Sequence, residues 1–96
     1  MIQRGIEIGY GTVTKEAMQD RNLTIEAKAI YAYLCSYAGG KDEAYPGINK
    51  ICYDLGINVK RFRKHMQLLI DNDYITIDKY RYTNGKYASN HYYINK

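Results

Sequence analysis

The stretch Asn58–Asp71, Asn-Val-Lys-Arg-Phe-Arg-Lys-His-Met-Gln-Leu-Leu-Ile-Asp, constrains this chain most. It has the spacing of a two-sided helix. Asn58 is a good N-cap, because its side-chain oxygen can accept a backbone N–H of the first turn. Val59, Phe62, Met66, Leu69 and Ile70 recur at steps of three and four and form one apolar stripe. Lys60, Arg61, Lys64 and Gln67 fall on the other side, with Arg63 and His65 on the flanks. Such a helix buries one side in a core and leaves cations and hydrogen-bond donors on the other. Leu55-Gly56-Ile57 comes just before it, and a further short amphipathic segment comes before that.

Bulk properties set the frame. The 96 residues suffice for one domain, 1–96, with one modest core. No uninterrupted apolar run reaches about 18 residues, so no membrane span is expected. The first residues lack a basic region followed by an apolar one, so no secretory signal is expected and the cytoplasm is the expected location. Cys35 and Cys52 are too few and too far apart for a metal motif. They read as reduced, partly buried small hydrophobes, and neither a metal nor another cofactor is expected. With 12 Tyr against one Phe and no Trp, the core is expected to be built largely with tyrosine.

An enzyme is not expected. His65 and His91 are the only histidines, and neither has a nucleophile or carboxylate constellation around it. Asp71 and Asp73 read as helix-end and turn residues, and Gly5, Gly9 and Gly11 lack the following helix that a phosphate-binding loop requires.

Charge is more informative. The net charge is +4 and the pI about 9.0. Lys60, Arg61, Arg63, Lys64, Lys79, Arg81, Lys86 and Lys96 stand against only Asp71, Asp73 and Asp78 after residue 57. The excess of cations therefore belongs to the C-terminal part, as an electrostatic footprint for a polyanion would.

Taken in order, residues 1–13 read as an N-terminal extension. Ile6, Ile8 and Tyr10 alternate with Gly5, Glu7, Gly9 and Gly11 at the period of a strand. That strand could pair within its own domain, pair across a dimer, or serve as a mobile arm. Thr14 caps an expected short helix, Lys15–Asp20. Thr24 caps a longer one from Ile25 to about Ala38, with Ala27, Ile30, Tyr31, Leu34 and Ala38 as its stripe and Cys35 at the edge. No charge follows Lys28 in it, so much of its circumference is expected to be covered. Gly39-Gly40 ends it. Lys41–Tyr45 reads as a polar loop, and Pro46 suits a helix start. A short helix from about Gly47 to Leu55 buries Ile48, Ile51, Cys52 and Leu55, and Gly56 fits the tight turn that follows.

After Asp73 the period changes to two. Ile75 and Ile77 alternate with Tyr74, Thr76 and Asp78, and Asn84-Gly85 is a strong hairpin signal. A two-residue turn sets Thr83 opposite Lys86, Tyr82 opposite Tyr87 and Tyr80 opposite Ser89. The same register sets Ile77 opposite Tyr92 and Ile75 opposite Ile94, so these four share a buried face.

Helix, glycine-containing turn and basic helix followed by a hairpin give an α+β fold of the winged helix-turn-helix kind, with three to four helices before a β-hairpin wing. Its expected partner is double-stranded DNA. A helix fits the major groove, and residues of its first turns reach base edges. Lys60, Arg61 and Lys64 could meet guanine O6 and N7, Gln67 an adenine edge or a phosphate, and Arg63 and His65 phosphates. With Asn58 at its start, the recognition set is Asn58, Lys60, Arg61, Arg63, Lys64 and Gln67. The wing contributes Arg81, Tyr82, Asn84 and Lys86, along the backbone or in the minor groove. The N-terminus of the Gly47–Leu55 helix could also aim amides at a phosphate. A competing reading is a winged helix for protein docking or homodimerisation, using Ala29, Ala32 and Ser36 and the Ile6–Tyr10 segment.

Several stretches carry a resemblance. Leu23-Thr24-Ile25-Glu26-Ala27-Lys28-Ala29-Ile30-Tyr31-Ala32-Tyr33-Leu34 is similar to an "LSxxAKxxYxxL" helix, and Tyr45-Pro46-Gly47 to "YPS" with Gly47 in place of Ser. Asp54-Leu55-Gly56-Ile57-Asn58 resembles "xLGIS", Phe62–Leu69 resembles "VRRHLKEL", and Ser89-Asn90-His91-Tyr92 resembles "SNxY". Together they resemble the N-terminal winged-helix domain of phage and plasmid replication initiators (replisome organisers), over roughly Tyr10 to Ile94. The resemblance implies DNA binding through Lys60, Arg61, Lys64 and the Arg81–Lys86 wing, often at replication origins. Such initiators usually carry a further C-terminal domain for assembly or helicase-loader contact. The chain is thus expected to be either a domain of a longer initiator, with replication proteins as partners, or a stand-alone regulator of transcription.

Overall fold

A computed structural model describes residues 10–39, 43–44, 47–81 and 87–96, with the backbone alone at 43–44, 79–81 and 87–90. Helix α1 spans Lys15–Gln19 and α2 spans Ile25–Ala38. A two-residue strand β1, Glu43–Ala44, precedes α3, Ile48–Leu55, and α4, Val59–Asp71. Strands β2, Ile75–Arg81, and β3, Tyr87–Ile94, follow.

Three of the four helices start on a side-chain cap. Thr14 Oγ1 accepts the N–H of Ala17 at 3.2 Å, Thr24 Oγ1 that of Ala27 at 3.0 Å, and Asn58 Oδ1 that of Arg61 at 2.7 Å. Each satisfies one of the orphan donors of a first turn. Helix α3 starts at Gly47 with no side-chain cap. It ends at Gly56, whose φ of 71° and ψ of 35° are left-handed, and the next amide, that of Ile57, bonds back to the Cys52 carbonyl at 3.0 Å. This turn aims α4 across α3.

The core lies where α2, α3 and α4 meet the sheet. Ile30, Leu34, Ile51, Phe62, Leu69 and Ile75 are buried in it, and Tyr31, Tyr74 and Tyr92 are as fully enclosed. Tyrosine thus supplies much of the bulk, as composition suggested. Cys35 and Cys52 are buried free thiols, and burial pushes both up in pKa. Four helices followed by an antiparallel hairpin make this an α+β winged helix-turn-helix fold.

Several expectations need correction. The Lys41–Tyr45 loop contains β1, which pairs antiparallel with β3 (Glu43 opposite Tyr93, Ala44 opposite Tyr92) and gives the sheet order β1-β3-β2. A two-residue strand is too short to show a period. The hairpin register holds from Ile75 opposite Ile94 to Tyr80 opposite Ser89, then shifts between Tyr80 and Arg81. Arg81 faces Tyr87, the residue expected opposite Tyr82. This is a β-bulge, one extra residue on β3. Tyr74, expected on the outer alternation, is buried, with its ring edge-on to that of Tyr31 of α2. Ile70, expected in the apolar stripe, is 36% exposed, while Leu68 packs against the core. At about 100° per residue the buried arc is set by Phe62, His65, Met66 and Leu69, and Ile70 falls off its edge. Helix α2 buries its stripe, but Ile25, Ala29, Ser36 and Tyr37 are exposed, so only one side of it is covered. The strand expected over Ile6–Tyr10, Pro46, and the Thr83–Lys86 pairing lie outside the described residues, except for Tyr10, which is exposed and not in a strand.

Candidate nucleic-acid interface

Helix α4 is held by Phe62, Met66 and Leu69 in the core, and that anchoring decides which residues face away. Lys60, Lys64 and Gln67 lie opposite the buried arc at about 100° per residue, and all are exposed. Among the described residues, Lys60, Arg63 and Lys64 make no ion pair. Gln67 donates an amide hydrogen to Asp71 at 2.8 Å. Asn58 is spent as the cap that starts the helix, its side-chain oxygen on the Arg61 amide.

The two arginines lie on opposite edges of the free face. Arg63 is on the α3 side, where its charge partly offsets the burial that raises the Cys52 thiol. Arg61 turns toward α2, and its guanidinium lies 3.2 Å from Glu26 Oε2. The Glu26 carboxyl is held below the usual range by its own backbone N–H at the helix start and then by the Arg61 hydrogen bond.

His65, expected to be available for a phosphate, is buried instead. Its Nδ1 lies 2.8 Å from Thr24 Oγ1 and its Nε2 lies 3.5 Å from Glu26 Oε2. Thr24 Oγ1 already accepts the Ala27 N–H, so its hydroxyl hydrogen is free for Nδ1. His65 therefore ties α4 to the start of α2. A histidine midway between an apolar stripe and a basic face gives no local sign of this, because its partner Thr24 is 41 residues away.

A second polar knot joins α2 to α3. Tyr33 donates to Asp54 Oδ2 at 2.7 Å, and Lys50 reaches the same oxygen at 3.0 Å. The Asp54 carboxyl is pushed down by the Tyr33 and Lys50 hydrogen bonds, and the Tyr33 hydroxyl is pushed well above its ordinary value by burial and by Asp54. Lys50 is thus paired at the surface, on the outer side of this contact.

Of the wing residues, Arg81 ends β2 and only its backbone is described, while Tyr82, Asn84 and Lys86 lie outside the described residues. Among the described residues no helix is long and apolar enough to cross a membrane. No group of three or more His, Cys, Asp or Glu residues among them could hold a metal ion.

What the arrangement offers is a helix whose outward side carries exposed cations and an amide, fixed to its domain by a left-handed glycine turn. A family model described as a helix-turn-helix domain matches residues 21–75, more than half of the chain. The match takes in α2, α3, the Gly56 turn and α4, and ends at the first residue of β2. No curated protein and no solved structure matches the chain significantly.

Proposed function

Because the chain belongs to the helix-turn-helix domain family, we propose that it binds double-stranded DNA sequence-specifically, with α4 as recognition helix. One observation carries this reading: Lys60, Arg63 and Lys64 are exposed on α4 and make no ion pair among the described residues. Lys60, Lys64 and Gln67 read base edges in the major groove, and Arg63 takes a phosphate on the α3 side. Arg61 joins them from the opposite edge, and Asn58 sets where the helix begins. Arg81, Tyr82, Asn84 and Lys86 of the wing segment contact the backbone beside it.

The process served is initiation of replication of the phage or plasmid type. The motif likeness running from Leu23 to Tyr92 supports it, and replication proteins are then further partners where the chain is part of a longer initiator. A small transcriptional regulator is the alternative. The exposed outer side of α2, with Ile25 at 84% exposure beside Ala29 and Ser36, favours a homodimer or a docking role for that helix.

Titration of a fluorescent duplex at several salt concentrations tests the reading. Affinity is expected to fall with a log–log slope of about −0.9 per phosphate neutralised. Absent or salt-insensitive binding rejects it. Selection of bound duplexes from a random pool would then give the site, and a palindrome would report a two-fold dimer.

A further inference from the structure

The carboxylate of Glu26 faces two groups of the recognition helix at once. Arg61 lies 3.2 Å from its Oε2, and the buried His65 ring lies 3.5 Å from the same oxygen. His65 is fixed from its other side by Thr24 at 2.8 Å, so the imidazole cannot swing away. Arg61 is free to leave, because its side chain is half exposed and sits at the edge of the helix. Among the described residues, Arg61 is the one lysine or arginine of α4 that makes an ion pair, and its partner is Glu26.

We propose that Glu26 is a specificity-determining residue that withholds Arg61 from non-cognate DNA. This rests on the DNA-binding reading above. In the free protein the Glu26 carboxylate occupies the place a phosphate or a guanine edge would take on the Arg61 guanidinium. An exposed ion pair is held weakly, so a well-placed acceptor displaces it. Non-specific complexes rest on loosely placed phosphate contacts, and they do not supply that acceptor. Arg63 therefore carries general attraction beside the wing, Lys60 and Lys64 stay open to the base edges, and Arg61 is engaged only on a matching site. His65 keeps Glu26 in place throughout, which makes it a positioning residue. The device raises discrimination by limiting the cations that any duplex can recruit.

Glu26→Gln keeps the acceptor oxygen and the shape and removes the charge. On a random-sequence duplex it is expected to bind severalfold more tightly than wild type, with a salt slope steeper by about 0.9, the contribution of one more phosphate contact. On a site selected from a random pool the gain is smaller, so the ratio of the two affinities falls. In an Arg61→Gln background the effect of Glu26→Gln shrinks, since there is no cation left to release. An effect of equal size in both backgrounds overturns the inference, because it would report long-range repulsion alone. Binding by wild type and Glu26→Gln with equal slopes overturns this inference and leaves the DNA reading standing. Absence of duplex binding by either chain overturns both. A reading that needs no variant is the Arg61 Nε–H NMR signal of the wild-type chain. It is expected to stay at its free position as random duplex is added and to move with the selected site. Movement with random duplex as large as that of the Arg63 Nε–H signal overturns the proposal.

Discussion

The Tyr74 hydroxyl donates to Asp20 Oδ2 at 2.7 Å, joining the residue before β2 to the C-cap of α1 across 54 positions of sequence. The bond favours an ionised Asp20 and a neutral Tyr74. Asp20 is pushed down chiefly by the Asn22 backbone N–H and then by Tyr74, and Tyr74 is pushed up to about 12 by burial and then by Asp20.

Stability should therefore fall at both ends of the pH scale. A carboxyl depressed below 3.8 contributes stability that is present above that value and lost as pH falls through the lower folded pKa. Glu26 and Asp54 are shifted the same way and add to the loss. A hydroxyl raised from 10.0 to about 12 contributes stability that is present below 10 and lost as pH rises toward 12. Denaturant unfolding across this range should show both declines, and Tyr74→Phe should flatten each without abolishing either. An unchanged alkaline decline in Tyr74→Phe would contradict the assignment.

Gly56 and Gly47 flank the same helix with opposite demands. Gly56 has a positive φ of 71° and open space around it, so an added Cβ meets backbone strain and no neighbour. Gly56→Ala should cost about 1–2 kcal/mol, the ordinary penalty of a left-handed residue with a Cβ. Gly47 has an extended backbone, no side-chain cap and nothing within 4 Å of an added Cβ. Gly47→Ser should be neutral or stabilise by a few tenths of a kcal/mol by capping α3. Thermal unfolding of the two variants checks the pair, and equal losses would show that the turn is not what Gly56 supplies.

How far the sequence was legible follows the range of the interactions. Asn58 as cap, Gly56 as turn and the Phe62, Met66, Leu69 stripe are local, so spacing alone disclosed them. The register from Ile75–Ile94 to Tyr80–Ser89 followed from alternation on both strands. The bulge at Arg81 did not, because an extra residue leaves no periodic trace. His65 and Tyr74 escape local patterning for one shared reason: each buries a polar ring whose partner, Thr24 or Asp20, sits on a distant element. The outward cations of α4 were legible as a set. That Arg61 is the paired one depends on Glu26, 35 residues earlier, and nothing near Arg61 announces it.

Neighbouring residues at the end of α4 make the sharpest packing test. Leu69 is fully buried and Ile70 is more than a third exposed. Leu69→Ala should cost about 2–5 kcal/mol through lost burial and the cavity left behind. Ile70→Ala should lie within about 0.5 kcal/mol of wild type, as surface changes do. Comparable losses by denaturant unfolding would return Ile70 to the core stripe.

Within the DNA-binding reading, Lys64 and Lys86 have different tasks, and substitution should separate them. Lys64 stands on the outward side of α4, where a base edge is within reach, so Lys64→Ala should change the preferred site. Loss of a good base contact costs about 1–3 kcal/mol on the matching sequence and little on others. Lys86 belongs to the wing segment and is assigned to a phosphate. Lys86→Ala should weaken all duplexes about equally and make the salt slope shallower by about 0.9. Binding of each variant to a randomised duplex library, read by sequencing, distinguishes the two patterns. A uniform loss for both would mean that Lys64 also serves the backbone, and base readout would then pass to Lys60 and Gln67, which share its side of the helix.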